Sequence, residues 1–249
     1  MIKKSGNQFR KRLASLKQFR TSHRRLRRLY YITDYAYELA GKEIENYLSA
    51  GRLRARKAVV VRGHRLARSP HELLRRLPTS YVSVLRQTLF VALIAAFETF
   101  LIDTIAEVFR RSKDPFKYER ELRFTQEQLL SFTSLDELND FLIVSECRRL
   151  SRSGFSSICD FFKNRMGVLI PYTTDDTNIM GEMYERRHLL VHAAGRIDEK
   201  YRSRFDPQGK FGKILSISHE YLEEAFETTR KAAFEVSQQV RKKWPVELL

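Results

Sequence analysis

Residues 184–201 hold the densest group of chemistry-bearing side chains in this sequence. The stretch carries Glu185, Arg186, Arg187, His188 and His192 ahead of Gly195 and Arg196, and so gathers two of the chain's six histidines beside two adjacent arginines. Histidine is the side chain that titrates near neutral pH, and arginine is a fixed cationic fork. Those types together suit proton transfer beside an anion. Helical geometry limits how they combine. His188 and His192 are four apart and share a face, a spacing that also suits two metal ligands. Glu185 and Glu98 are then the candidates for a third ligand. Arg187 and His192 lie ~140° apart around a helix axis and ~7.5 Å along it. One helix brings them together only through the long arginine side chain, whereas two helices facing across a symmetric interface pool both pairs more readily.

Competing enzyme signatures are missing. The chain has no Gly-rich phosphate loop, no G-x-S-x-G elbow, no His-Glu-x-x-His and no Cys-x-x-Cys. Plainer readings stand beside the chemical one. His192 suits a helix C-terminus, where the dipole favours it. Arg186 and Arg187 have Glu182 and Glu185 within pairing distance on the same helix. Glu98 reads equally as a satisfied buried carboxylate, and His188 as a surface residue.

The elements that position this segment read as helices. Phe9, Leu13, Leu16, Phe19, Leu26 and Leu29 recur at helical steps, and the helix continues through residues 30–48 with Tyr37, Ile44, Tyr47 and Leu48, to be closed by Gly51. Val59–Val61 is open between a brief strand and a helical turn. Pro70 and Pro78 bracket a short basic helix. The longest helix follows over residues 81–111, with Val84, Leu85, Thr88, Leu89, Ala92, Ala95, Ala96, Thr99 and Phe100 as its buried face, and Asp114-Pro115 ends it. Ser134 before Asp136 and Glu137 reads as an N-cap. Its helix runs to about residue 152 and stops at Gly154. Residues 155–166 form another helix, ended by Gly167. Asp175 or Asp176 caps the motif helix, which ends before Gly195. Residues 196–216 read as a loop with room for a hairpin, turning at Pro207-Gln208-Gly209. The last helix covers about residues 219–243. The expected architecture is all-α: four to five main helices over residues 79–249 behind a basic helical N-terminal extension, residues 1–78.

Charge supports that division. The 249 residues carry a net charge of +16, and all of the excess lies in residues 1–76, with 21 Lys and Arg against 5 Asp and Glu. One block, residues 3–28, has 11 basic residues and no acid; a second, 52–76, has 9 against Glu72 alone. A solvated basic face explains one such block. Two blocks on an otherwise neutral chain point to a polyanion, with nucleic acid ahead of an anionic membrane surface. Arg24, Arg25, Arg27 and Arg28 are the candidate nucleic-acid contacts, with Arg186 beside the motif. The 43% hydrophobic content argues against a disordered chain. Two cysteines, Cys147 and Cys159, suit a reducing, cytoplasmic compartment. Residues 89–97 are the longest apolar stretch, well short of the about 20 residues of a membrane span, so no span is expected.

Arg187-x-x-x-x-His192 resembles the Arg-x(4–6)-His motif of the HEPN superfamily of helical ribonucleases. The residues after it, 195–201, resemble the same segment of the RiboL-PSP-HEPN branch. Residues 96–103, with Glu98 and Asp103 around Phe100, resemble that branch's long helix. Residues 134–167 are similar to its middle helices, and 214–221 to its entry into the last helix. The resemblance covers about residues 80–245. It implies a metal-independent endoribonuclease working without cofactor as a homodimer, the motif helices facing across the interface. His192 would then move protons, Arg187 would meet the negative charge of the phosphorane-like transition state, His188 would orient RNA or tune His192, and Glu98 would hold Arg187 or His192. The expected product is a 2′,3′-cyclic phosphate. The family's habits further imply a toxin or antiviral-defence effector, with an antitoxin or other regulatory protein as a partner. The alternative is a non-catalytic helical module that binds nucleic acid or a partner.

Overall fold

The computed structural model describes residues 13–112, 123–173 and 178–245. Phe9, Asp114-Pro115, the Asp175 and Asp176 caps and the basic residues before Leu13 lie outside the described residues. The chain is mostly helical, 73% helix against 4% strand, so the all-α class holds.

The first helix, α1, is one continuous run, Ala14–Ser49. A strand pair follows, β1 (Val59–Val61) antiparallel to β2 (His64–Ala67), which places Val59–Val61 in a strand. Helix α2 covers Pro70–Arg76; Pro70 is tolerated in the first turn, and the Ser69 side chain accepts from the Glu72 amide at 3.2 Å. Pro78 does not separate α2 from the next helix. The chain passes through a π turn, Leu77–Tyr81, into α3, Val82–Phe109. The wider turn accommodates the proline ring.

Then come α4 (Gln126–Ser131), α5 (Leu135–Ser153), α6 (Phe155–Phe161) with a π turn over Phe162–Met166, α7 (Ile179–His192), α8 (Glu199–Phe205) and α9 (His219–Lys243). Ser134 is the N-cap of α5, its side chain taking the Glu137 amide at 3.2 Å. Two of these helices are absent from the sequence reading. Both are short and rest on caps: Thr125 and Gln128 form a capping box for α4, and Asp198 takes the Tyr201 amide at 2.7 Å for α8.

By packing, the described chain divides into two units, each made of separate stretches of sequence. Residue 78, the boundary expected for an N-terminal extension, falls inside the second unit. Of the described residues, the first comprises 13–21, 95–112, 123–173, 178–181 and 228–245. Phe19 of α1 packs there on Phe97 and Phe100 of α3 (ring centroids 5.8 and 5.5 Å), and the Ser15 and Thr104 hydroxyls bond at 3.0 Å. Trp244 donates to the Met166 carbonyl at 3.1 Å. Burial raises the Cys147 thiol to about 11 and the Cys159 thiol to about 12, so neither is a reactive thiolate at neutral pH.

The second unit comprises residues 22–94 and 182–227. His23 Nε2 meets the Phe226 carbonyl oxygen at 2.9 Å, the Tyr30 hydroxyl meets His219 Nδ1 at 2.8 Å, and Arg86 donates to that hydroxyl at 3.1 Å. Tyr37, Ala40 and Ile44 of α1 pack on Ala67, Leu73 and Leu77. α1 is therefore a core helix as well as a basic one.

Two expected faces differ from the observed ones. Leu29 is 51% exposed, because the buried stripe of α1 runs through His23 to Tyr30. On α3, Val84 is 60% exposed and Thr88 and Thr99 are open, while Phe90, Leu93, Ile94, Phe97, Leu101 and Ile105 are fully buried. α3 is apolar nearly all round, so its sequence carries too little contrast to set the phase. The run Pro70–Phe109 is long and apolar enough to cross a membrane by length and composition, and half of its most apolar window is buried within the chain.

Candidate functional site

Helix α7 carries the motif. Its C-terminal end is fixed by backbone bonding. Ala194 turns left-handed (φ 50°), the Gly195 amide reaches back to the Leu189 carbonyl at 2.8 Å, and the Gly195 carbonyl accepts from Leu215 at 2.8 Å. A side chain at Gly195 would meet Leu190 Cδ2 at 3.3 Å and Ile214 Cγ2 at 3.5 Å, which is why the closest approach falls on a glycine. Arg196 pairs with Ile214 as an isolated antiparallel bridge, and the Gly209 amide bonds to the Asp206 carbonyl at 2.9 Å, so the turn is present, while the loop holds α8 and a single bridge in place of a hairpin. Beneath lies a cluster of Leu189, Ile197, Tyr201 and Leu215, with Ala193 and Phe205 packed against it.

The structure assigns different environments to neighbouring residues of α7. Arg186 is 17% exposed. Its Nε donates to Glu182 at 2.7 Å, and its two amino groups donate to the Tyr201 hydroxyl at 2.8 Å and the Ser216 carbonyl at 3.2 Å. The Tyr201 and Tyr221 hydroxyls donate to the two oxygens of Glu182, and the guanidinium lies 4.0 Å from the Tyr221 ring centroid. Burial first, and Glu182 with it, pushes both phenols above the usual tyrosine value. Arg186, a candidate nucleic-acid contact, has its guanidinium bound within this network. Tyr201 and Tyr221 are the members that sequence reasoning missed. The Glu182–Arg186 spacing is visible in sequence, but its aromatic lid comes from two other helices.

His188 and His192 are exposed, and their rings lie 4.8 Å apart. Neither imidazole hydrogen-bonds to another described residue. Arg187 is half-buried with its Nε atom shielded from solvent, and on helical geometry it flanks the histidine face rather than sharing it. Glu98 lies on α3 in the first unit, half-buried. Glu185 accepts from Lys200 at 2.6 Å. Among the described residues, no group of three His, Cys, Asp or Glu side chains converges on a metal position.

The basic residues of α1 divide in the same way. Lys17, Arg20, Arg24, Arg25 and Arg28 are exposed, and all but Arg25 follow one helical stripe. Arg27 turns inward, to Glu223 at 2.5 Å and Glu227 at 3.1 Å. Burial works against its charge, and the two carboxylates outweigh that, so its pKa rises.

No family model, curated protein or solved structure matches this chain.

Proposed function

We propose that the chain is a metal-independent endoribonuclease of HEPN type, cleaving RNA by attack of the neighbouring 2′-hydroxyl. The observation that carries this reading is the exposed His188–His192 pair at the C-terminal end of α7. It is an imidazole surface to which no described residue hydrogen-bonds, with an arginine on its flank. His192 takes the proton from the 2′-hydroxyl. The freed oxygen attacks phosphorus, the bond to the 5′-oxygen breaks, and a second imidazole returns a proton to that oxygen. The product is a 2′,3′-cyclic phosphate. Arg187 meets the charge of the transition state, and because it flanks the histidine face, the complete centre takes one arginine and one histidine from each copy of a homodimer. The exposed arginines Arg24, Arg25 and Arg28 recruit the RNA. In the cell this is a cytoplasmic toxin or antiviral-defence effector, held silent by an antitoxin or other regulatory protein.

The test is a ribonuclease assay in EDTA with the product ends mapped. The expected result is cleavage with cyclic-phosphate ends, lost in His192→Ala and Arg187→Ala with the fold retained. Wild-type rates in either variant overturn it.

A second reading, a non-catalytic nucleic-acid-binding module, is favoured by the basic stripe of α1, which needs no catalytic centre. Salt-sensitive RNA binding without cleavage by the purified wild-type chain selects it.

A further inference from the structure

Among the described residues, helix α1 between Arg25 and Glu43 is covered on one side only. Tyr37, Ala40 and Ile44 pack on α2 and the strand pair, and Tyr30 is fully buried. A neighbouring strip, about 100° round the helix from those residues, carries Leu29, Ile32 and Leu39, exposed at 51%, 67% and 50%, with Ala36 exposed between them. Arg25 stands at one end of this row and Glu43 at the other, both exposed. The row Arg25, Leu29, Ile32, Ala36, Leu39, Glu43 alternates steps of four and three. That is the seam of a two-stranded coiled coil, in which alternate positions form layers with a partner helix. The buried side of a helix docked only on its own domain has no need of a second seam.

The row is also symmetric in a specific way. A twofold axis at the level of Asp34 exchanges Arg25 with Glu43, Leu29 with Leu39, and Ile32 with Ala36. An antiparallel pair of α1 helices therefore places each cation against an anion at both ends. It also places two leucines together and fits a large side chain against a small one in the central layers. A parallel pair would set Arg25 on Arg25 and Glu43 on Glu43. An anionic lipid surface would have no use for Glu43 at the end of the row. The two ends and the middle together select one occupant.

We infer that α1 is a self-association surface, pairing with α1 of a second copy of this chain in antiparallel register. The seam spans about 27 Å, a short interface at the low end of those that support specific association. The dimer accordingly dissociates on dilution. Ile32→Glu and Leu39→Glu test this pairing apart from the nuclease reading, since neither residue is assigned to RNA binding or cleavage; Arg25 is shared with the proposed RNA contacts, so its variants are read by association of the RNA-free chain alone.

Sedimentation velocity on the full, RNA-free chain across a concentration series tests it. The wild type is expected to pass from monomer to dimer. Ile32→Glu sets an unpartnered charge against Ala36 in the central layers and Leu39→Glu one against Leu29 in the next layers out, and each is expected to weaken association about 100-fold while leaving the melting temperature unchanged, because both side chains already face solvent. Arg25→Glu alone and Glu43→Arg alone are each expected to weaken it about tenfold. Mixing those two variants restores the dimer, because each end of the mixed pair then carries opposite charges. The double variant restores it in one chain for the same reason. A wild type that stays monomeric overturns the proposal, as does one that floats instead with phosphatidylcholine–phosphatidylserine vesicles. A dimer indifferent to Ile32→Glu, or single variants that the mixture does not rescue, also overturn it.

Discussion

The two sides of helix α7 use their polar residues in opposite ways. On one side Glu182 and Arg186, one turn apart, are enclosed with Tyr201 and Tyr221, and the guanidinium bonds through each of its nitrogens. On the other, His188 and His192, also one turn apart, put two imidazoles 4.8 Å from each other in solvent. Both pairs have the same spacing and both consist of titratable residues. Their surroundings separate them. The first pair is consumed by the fold, since a buried charge needs a partner. The second is spared by it, and a polar pair the fold does not need is where function is to be sought.

That contrast breaks most sharply through substitution on each side. His192→Ala is expected to lower RNA cleavage by about 10²- to 10⁴-fold, the range of a lost general acid–base group, while shifting unfolding free energy by no more than about 0.5 kcal/mol, as for other exposed positions. Single-turnover cleavage and urea unfolding of the same preparation read both quantities. Glu182→Ala is expected to do the reverse in kind. It leaves the Arg186 guanidinium without its carboxylate and removes the acceptor of two phenols. Each partner keeps 17% exposure, so the cost falls near the lower end for a broken buried pair, about 3 kcal/mol. Cleavage by the fraction that remains folded would persist. A Glu182→Ala protein of wild-type stability would show that the buried side is not the structural one.

Alkaline titration sharpens the same distinction by a smaller margin. Tyr201 and Tyr221 are both raised, by burial first and then by the Glu182 carboxylate. In the unfolded chain they ionise near the ordinary value of about 10. Above that pH the unfolded state loses protons that the folded state retains, so stability is fully present below about 10 and falls as pH rises toward the folded values. Tyr201→Phe and Tyr221→Phe are each expected to flatten that fall, measured as urea midpoints at successive pH values. Equal slopes in the wild type and both variants would remove these phenols from the network.

How much of this was legible beforehand varies with the physics involved. α9 is readable to its ends because its amphipathic contrast is strong, and α5 because Ser134 and Gly154 bound it with side-chain and backbone signals of their own. α3 is readable as a helix but not in its facing, since an all-round apolar helix takes its phase from its neighbours. Pro78 misleads because a π turn absorbs it. At the site, the likeness of residues 184–201 to a nuclease motif is a matter of local spacing. The Tyr201–Tyr221 lid over Arg186 depends on partners 15 and 39 residues from the atoms they bond, distances at which a single sequence carries no pairing signal. The side of α1 left open is equally invisible, because Leu29 reads as core until Tyr30 is seen to occupy that place.

The smallest expected effects concern two arginines of α1 that sequence cannot tell apart. Arg27 is held by Glu223 and Glu227 at 36% exposure, whereas Arg28, the next residue, faces solvent. Arg27→Ala is expected to cost up to about 1 kcal/mol of stability, the range for partly exposed ion pairs, and to leave the salt dependence of RNA binding unchanged. Arg28→Ala is expected to leave stability unchanged and to reduce the slope of log affinity against log salt by about 1, the signature of one lost phosphate contact. Fluorescence anisotropy with a single-stranded RNA across a salt series measures that slope. An equal change in both variants would mean that the Glu223 and Glu227 pairing opens to release Arg27 onto the RNA. The fold's use of a charge would then no longer mark which arginines are available, and the same doubt would extend to Arg186 on α7.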